Sequence, residues 1–158
     1  MKNVLYSLLL VLGLASSASA QQTTEQKIYD VTSYGTLGVN MALDFRTAWT
    51  STDRKGEVGK YVTRVGVTWL GVAVIKHYFP TARPCAPQCG IDDPMADIPS
   101  GHTAFAVATL DFNGSGKRLA VGVPLATLTA VFRKTATKHD LLGIGVGAGV
   151  GLLTGQIR

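Results

Sequence analysis

Ile98-Pro99-Ser100-Gly101-His102-Thr103 is the stretch on which the reading of this chain turns. Ser100 is a natural helix N-cap, because its side-chain oxygen can accept an N–H that a first helical turn leaves without a partner. Gly101 allows a close approach to the main chain, and the residues up to Leu110 are compatible with a short helix. The outward N–H groups of a helix start favour an anion. A histidine held there can hydrogen-bond an oxyanion or pass it a proton. Taken alone, the stretch reads as a capped helix with an incidental histidine.

Toward the C-terminus, residues 111–116 form a turn-rich connection. Its Asn113-Gly114-Ser115 is a formal glycosylation triplet of a kind that arises by chance. Leu119 to Phe132 is an apolar helix candidate with Pro124 as a point of kinking. Then comes Arg133-Lys134-Thr135-Ala136-Thr137-Lys138-His139-Asp140. Thr137 with Asp140 reads as a capping pair, so the expectation is a last helix from Thr137 to Leu153 with His139 in its first turn. There the positive end of the helix would keep the imidazole neutral and nucleophilic. The plainer alternative is a basic, solvated helix start.

Toward the N-terminus, Val58 to Phe79 is a helix candidate ended by Pro80, and residues 81–98 form an ordered loop. Lys76 closes that helix and Arg83 lies in the loop, one a mobile point charge and the other a fork matched to phosphate oxygens. Cys85 and Cys89 are candidates for a small local disulfide; with no second pair of ligands they do not make a zinc site. Leu37 to Trp49 is a further helix, Ser51-Thr52-Asp53 a break or cap, and residues 21–30 a frayed start.

The chain has 158 residues, the length of a single domain. Lys2, the apolar run Val4 to Ala15 and the small residues Ala18-Ser19-Ala20 have the layout of a secretory signal peptide cut before Gln21. The expected organisation is therefore a signal peptide over 1–20 and one helical domain over 21–158, exported to the periplasm or the outer face of the cytoplasmic membrane. Lys2 is the only charged residue of the leader, which leaves fourteen basic against ten acidic side chains. That modest excess suits anionic substrates or lipid headgroups, and no dense basic run points to nucleic acid.

After the leader, the best apolar runs (Leu119–Phe132 and Leu141–Leu153) are shorter than the roughly 20 residues of a membrane span. Yet Gly143, Gly147, Gly151 and Gly155 recur every fourth residue, a smooth stripe of the kind that lets membrane helices approach closely. The run lacks the G-x-G-x-x-G pattern and a preceding strand, so it is not a dinucleotide loop.

Taken in order, Lys76-x6-Arg83-Pro84, Pro99-Ser100-Gly101-His102 and Arg133-x5-His139 resemble the three-part signature of the phosphatidic acid phosphatase type 2 superfamily. Acid phosphatases, lipid phosphatases and vanadium haloperoxidases share that signature, and the resemblance covers residues 65–158. It implies an all-α, compact helical bundle. It also implies a metal-independent, cofactor-free phosphatase acting on a phosphomonoester, pyrophosphate or lipid phosphate through a phosphohistidine. His139 would be the nucleophile and His102 the proton donor, with Lys76, Arg83, Ser100, Gly101 and Arg133 binding phosphate. His77 has no family role and reads as a loop or surface residue. Two positions depart from the pattern. Phe132 stands where the family has Ser, and Gly143 where it has the Asp that orients the nucleophile. Asp140 is a conjectural stand-in for that Asp. Two rival readings follow: an impaired member that binds phosphate or headgroups without turnover, and a small glycine-zipper membrane protein whose last helix self-associates. The haloperoxidase reading ranks last, since those enzymes are much longer.

Overall fold

The computed structural model describes residues 23–86, 93–110 and 116–157. The expected signal peptide, Cys89 and the Asn113-Gly114-Ser115 triplet lie outside them. The elements are α1 (Thr24–Trp49), α2 (Arg54–Tyr78), α3 (Gly101–Ala108), α4 (Gly116–Thr135) and α5 (Leu141–Gly155). The all-helical bundle expected from the sequence is the fold observed.

Helix α1 begins at Thr24, so the residues expected to fray are mostly helical. The reason is a capping box: Thr23 Oγ1 accepts the Gln26 N–H and the Gln26 side chain accepts the Thr23 N–H, both at 3.2 Å. Thr23-x-x-Gln26 carried that signal in the sequence. Asp53 caps α2, accepting the Gly56 N–H at 3.2 Å. Helix α2 is continuous for 25 residues, about 37 Å at 1.5 Å per residue. That length and its composition are enough to cross a membrane, which corrects the expectation that no segment after the leader reaches a span. Helix α4 runs through Pro124 and over 20 residues.

The interior is small and polar, and the exterior carries the large apolar side chains. Ala104, Ala106, Ala108 and Ala136 are fully buried, while Trp69 is 62% and Leu153 75% exposed. Threonine pairs join helices across the interior: Thr36 with Thr129 at 2.8 Å and Thr68 with Thr154 at 2.7 Å. The Asn40 amide donates to the Ala106 carbonyl at 2.7 Å. Close packing and polar contacts thus hold the helices together more than a large aliphatic core does.

The glycine stripe explains the tightest contact. A Cβ on Gly147 would lie 2.4 Å from the Ser100 carbonyl oxygen, one on Gly151 2.4 Å from that of Ala104, and one on Gly155 3.2 Å from that of Ala108. Glycines four apart on α5 therefore rest on main-chain carbonyls four apart along α3. The stripe is occupied within the fold, so it is not a free surface for the self-association considered above.

Gly151→Ala should lower stability by about 2 kcal/mol. Gly145→Ala, whose Cβ meets nothing within 4 Å, should be neutral or gain up to about 1 kcal/mol from helix propensity. Thermal unfolding of the two variants side by side checks the difference.

Candidate functional site

Three loop-to-helix junctions meet at one cavity. The first is the start of α3. Ser100 is its N-cap, its hydroxyl oxygen accepting the Thr103 N–H at 3.4 Å and the Thr103 hydroxyl at 3.0 Å. This puts Gly101 and His102 in the first turn, where the sequence placed them.

The second junction joins α4 to α5. Lys138 N–H donates to the Arg133 carbonyl at 3.1 Å and Thr137 N–H to the Lys134 carbonyl at 3.0 Å. Those two bonds, with Thr137 at φ 56°, make a Schellman turn carrying Thr where Gly is usual. The turn folds the chain back so that Arg133 and His139, six residues apart, face each other. The Arg133 guanidinium lies 3.5 Å from His139 Nε2.

This arrangement corrects the expected start of the last helix. Asp140 is the N-cap, accepting the Gly143 N–H at 2.6 Å, and the helix begins at Leu141. His139 sits before the cap and not in the first turn. Thr137, in a left-handed conformation, belongs to the end of α4.

The third junction is the loop after α2. Thr81 N–H donates to the Met95 carbonyl at 3.1 Å, Arg83 N–H to the Pro94 carbonyl at 2.7 Å, and Asp97 N–H to the Thr81 carbonyl at 3.1 Å. The two arms of the loop are thereby zipped together, with Arg83 and Asp97 buried. Cys85, in the first arm, is disulfide-bonded.

The cavity these junctions enclose measures about 440 Å³. Lys76, Arg83, Gly101, His102, Arg133 and His139 form its polar wall, and Leu37, Met41, Val65 and Phe105 are apolar lining. Six of the seven site residues expected from the sequence therefore share one wall. Ser100 lies outside that wall as the cap of α3, and His77 is on the surface. Among the described residues, no group of three or more His, Cys, Asp or Glu side chains is arranged to hold a metal ion.

Both histidines are neutral. Burial lowers the pKa of His139 to about 2, assisted by the charges of Arg133 and Arg83. Burial likewise pushes His102 well below its usual value, with Arg133, His139, Lys76 and Arg83 adding to the effect. The cause at His139 is thus desolvation and neighbouring cations, not the helix end expected from the sequence. His139 Nδ1 lies 2.6 Å from the Asp97 carbonyl oxygen, so the neutral ring donates its Nδ1–H there and keeps the Nε2 lone pair on the cavity side.

Sequence reasoning missed three residues. Asp30 forms a buried ion pair with Arg133 and lies 3.7 Å from the Lys138 ammonium. Tyr34 packs edge-on against His102, with ring centroids 4.3 Å apart. Asp97 holds the His139 ring. Asp30 and Tyr34 lie in and just after the segment read as frayed, and each meets its partner only through the tertiary fold.

No family model matches the chain, and no curated protein matches it. Among solved structures, LpxE of Aquifex aeolicus is similar with a TM-score of 0.64 and 21% identity, over 93% of this chain and 91% of that chain. What the two share is the fold. It is the helical bundle of the phosphatidic acid phosphatase type 2 kind expected from the three sequence blocks.

An anion bound among these cations should raise the depressed histidine pKa values, so binding takes up protons. Calorimetric titration with sulfate near pH 6, in buffers of differing ionisation enthalpy, should give uptake of up to about one proton per site. Zero uptake, or release, would contradict that expectation.

Proposed function

We propose that the chain is a phosphatase of the phosphatidic acid phosphatase type 2 superfamily that hydrolyses a lipid phosphate through a phosphohistidine. One observation carries this reading. A neutral His139, its Nδ1–H engaged by Asp97, turns Nε2 into a cavity walled by Lys76, Arg83, Arg133 and His102. The fold shared with LpxE of Aquifex aeolicus supports it as well.

In the proposed reaction, the phosphoryl group sits among the three cations and the N–H groups at the start of α3. Nε2 of His139 attacks phosphorus as the bond to the leaving oxygen breaks, and His102 gives that oxygen its proton. Water then attacks the phosphohistidine, His102 takes the water's proton, and phosphate leaves with His139 regenerated. The cations stabilise charge that builds on the phosphoryl oxygens, in a cavity where burial strengthens each contact. His102 is neutral at rest, and the incoming anion raises its pKa so that it carries the proton this step requires.

Two features support a lipid substrate over a soluble phosphomonoester. Leu37, Met41, Val65 and Phe105 give the cavity an apolar wall beside the cationic one, suited to an acyl chain next to a headgroup phosphate. The exterior is apolar around α2, with Val62, Trp69 and Leu70 more than half exposed. A bilayer solvates such a surface, and the small, polar interior matches helices packed within lipid. In this reading the exported chain works at the outer face of the cytoplasmic membrane.

The protein in detergent micelles should release phosphate from lipid phosphates at least about 10-fold faster, by kcat/KM, than from short soluble phosphomonoesters. His139→Ala should abolish both activities. Equal rates on the two classes would remove the lipid assignment. Tight phosphate binding with no release from any substrate would favour a headgroup-binding member without turnover.

A further inference from the structure

We propose that Asp97 is the positioning residue of the nucleophile, its main-chain carbonyl and its carboxylate together holding the His139 ring from the space beside Gly143. The proposal rests on the phosphatase reading above. His139 Nδ1 lies 2.6 Å from the Asp97 carbonyl oxygen and 3.1 Å from its Oδ1. The same Oδ1 accepts the Asp140 N–H at 3.1 Å, so one carboxylate oxygen fixes both the ring and the main chain that follows it. Asp97 is only 2% exposed. It is itself anchored through its own N–H to the Thr81 carbonyl, and Ile98 N–H to the Thr81 hydroxyl at 2.9 Å secures the next residue.

Gly143 is the complement of this arrangement. A Cβ there would lie 2.8 Å from the Asp97 carbonyl oxygen and 2.9 Å from its Oδ1. The volume that a side chain at position 143 would need is already filled by Asp97. The Ser100 N–H also donates to the Gly143 carbonyl at 2.8 Å, so the main chain at 143 is tied down on the same side. The glycine is therefore no lesion in the site. It makes room for a carboxylate that arrives from the loop before α3 and not from α5.

The carbonyl and the carboxylate have separable roles. The carbonyl accepts Nδ1–H and sets the tautomer, leaving Nε2 able to attack. The carboxylate supplies negative charge beside a ring that becomes cationic when phosphorylated. Asp140, the stand-in considered from sequence, is occupied with capping α5 at Gly143 N–H.

Asp97→Asn tests this, because the amide oxygen still accepts the Asp140 N–H and the carbonyl still accepts Nδ1–H while the charge is lost. In triads where the tautomer is lost as well, the cost is about 10⁴-fold; here kcat should fall about 10- to 100-fold with KM within about 2-fold. The Nδ1–H proton resonance of His139 should lie downfield in wild type and move upfield in Asp97→Asn, at an unchanged melting temperature. Gly143→Asp should lose activity and not gain it.

Wild-type kcat in Asp97→Asn would overturn the proposal, and so would a fall in kcat with no movement of the ring resonance. A gain of activity in Gly143→Asp would overturn it too. If wild type releases phosphate from no substrate, the functional reading fails by itself, and the ring resonance still decides whether Asp97 orients His139.

Discussion

The main chain of α5 lies directly on the main chain of α3, and the placement of the whole site depends on that contact. Gly147, Gly151 and Gly155 each face a carbonyl of Ser100, Ala104 or Ala108. At the upper end of the same seam the Ser100 N–H donates to the Gly143 carbonyl at 2.8 Å. Two helix starts are thereby locked together, one carrying His102 and the other preceded by His139. A side chain on the stripe would push the helices apart and separate the two histidines. The glycines are a requirement of the close approach of α5 to α3 before they are a feature of membrane helices.

The site is also an electrostatic arrangement with a sign. Lys76, Arg83 and Arg133 surround two histidines that burial already keeps neutral, so the site disfavours a proton and favours an anion. Asp30 holds Arg133 in place from α1, and breaking such a buried pair typically costs about 3–5 kcal/mol. Asp97 works at the opposite side of the His139 ring from Arg133, so the ring is fixed between a donor and an acceptor. In the proposed reaction, an anionic phosphoryl group would cancel the excess positive charge and let His102 take up a proton.

Much of this was legible in the sequence because it depends on local chemistry. Ser100 has the chemistry of a cap and is one, and the Lys76, Arg83, Arg133, His102 and His139 side chains reach one wall. The turn at Thr137 was not legible, since a Schellman turn normally shows itself by Gly and here the left-handed residue is Thr. Because of that turn His139 lies before the last helix, and burial and two arginines, not the helix end, lower its pKa. The Thr23-x-x-Gln26 box is present in the sequence, set within a polar segment that masks it. Asp97 could not be assigned from sequence, because its partner lies 42 residues away and meets it only after the loop zips. Along α5 alone, Gly143 is the absence of a carboxylate. Viewed with the loop packed against it, it is the space that Asp97 fills.

The central claim is that His139 Nε2 becomes covalently phosphorylated. The most direct measurement is rapid acid-free quenching of the protein during turnover of a labelled lipid phosphate, followed by mapping of the bound label. The account predicts alkali-stable, acid-labile phosphate on His139, formed within the dead time of one turnover and absent in His139→Ala. Phosphate release at the same rate with no label on His139, or label retained in His139→Ala, would contradict it.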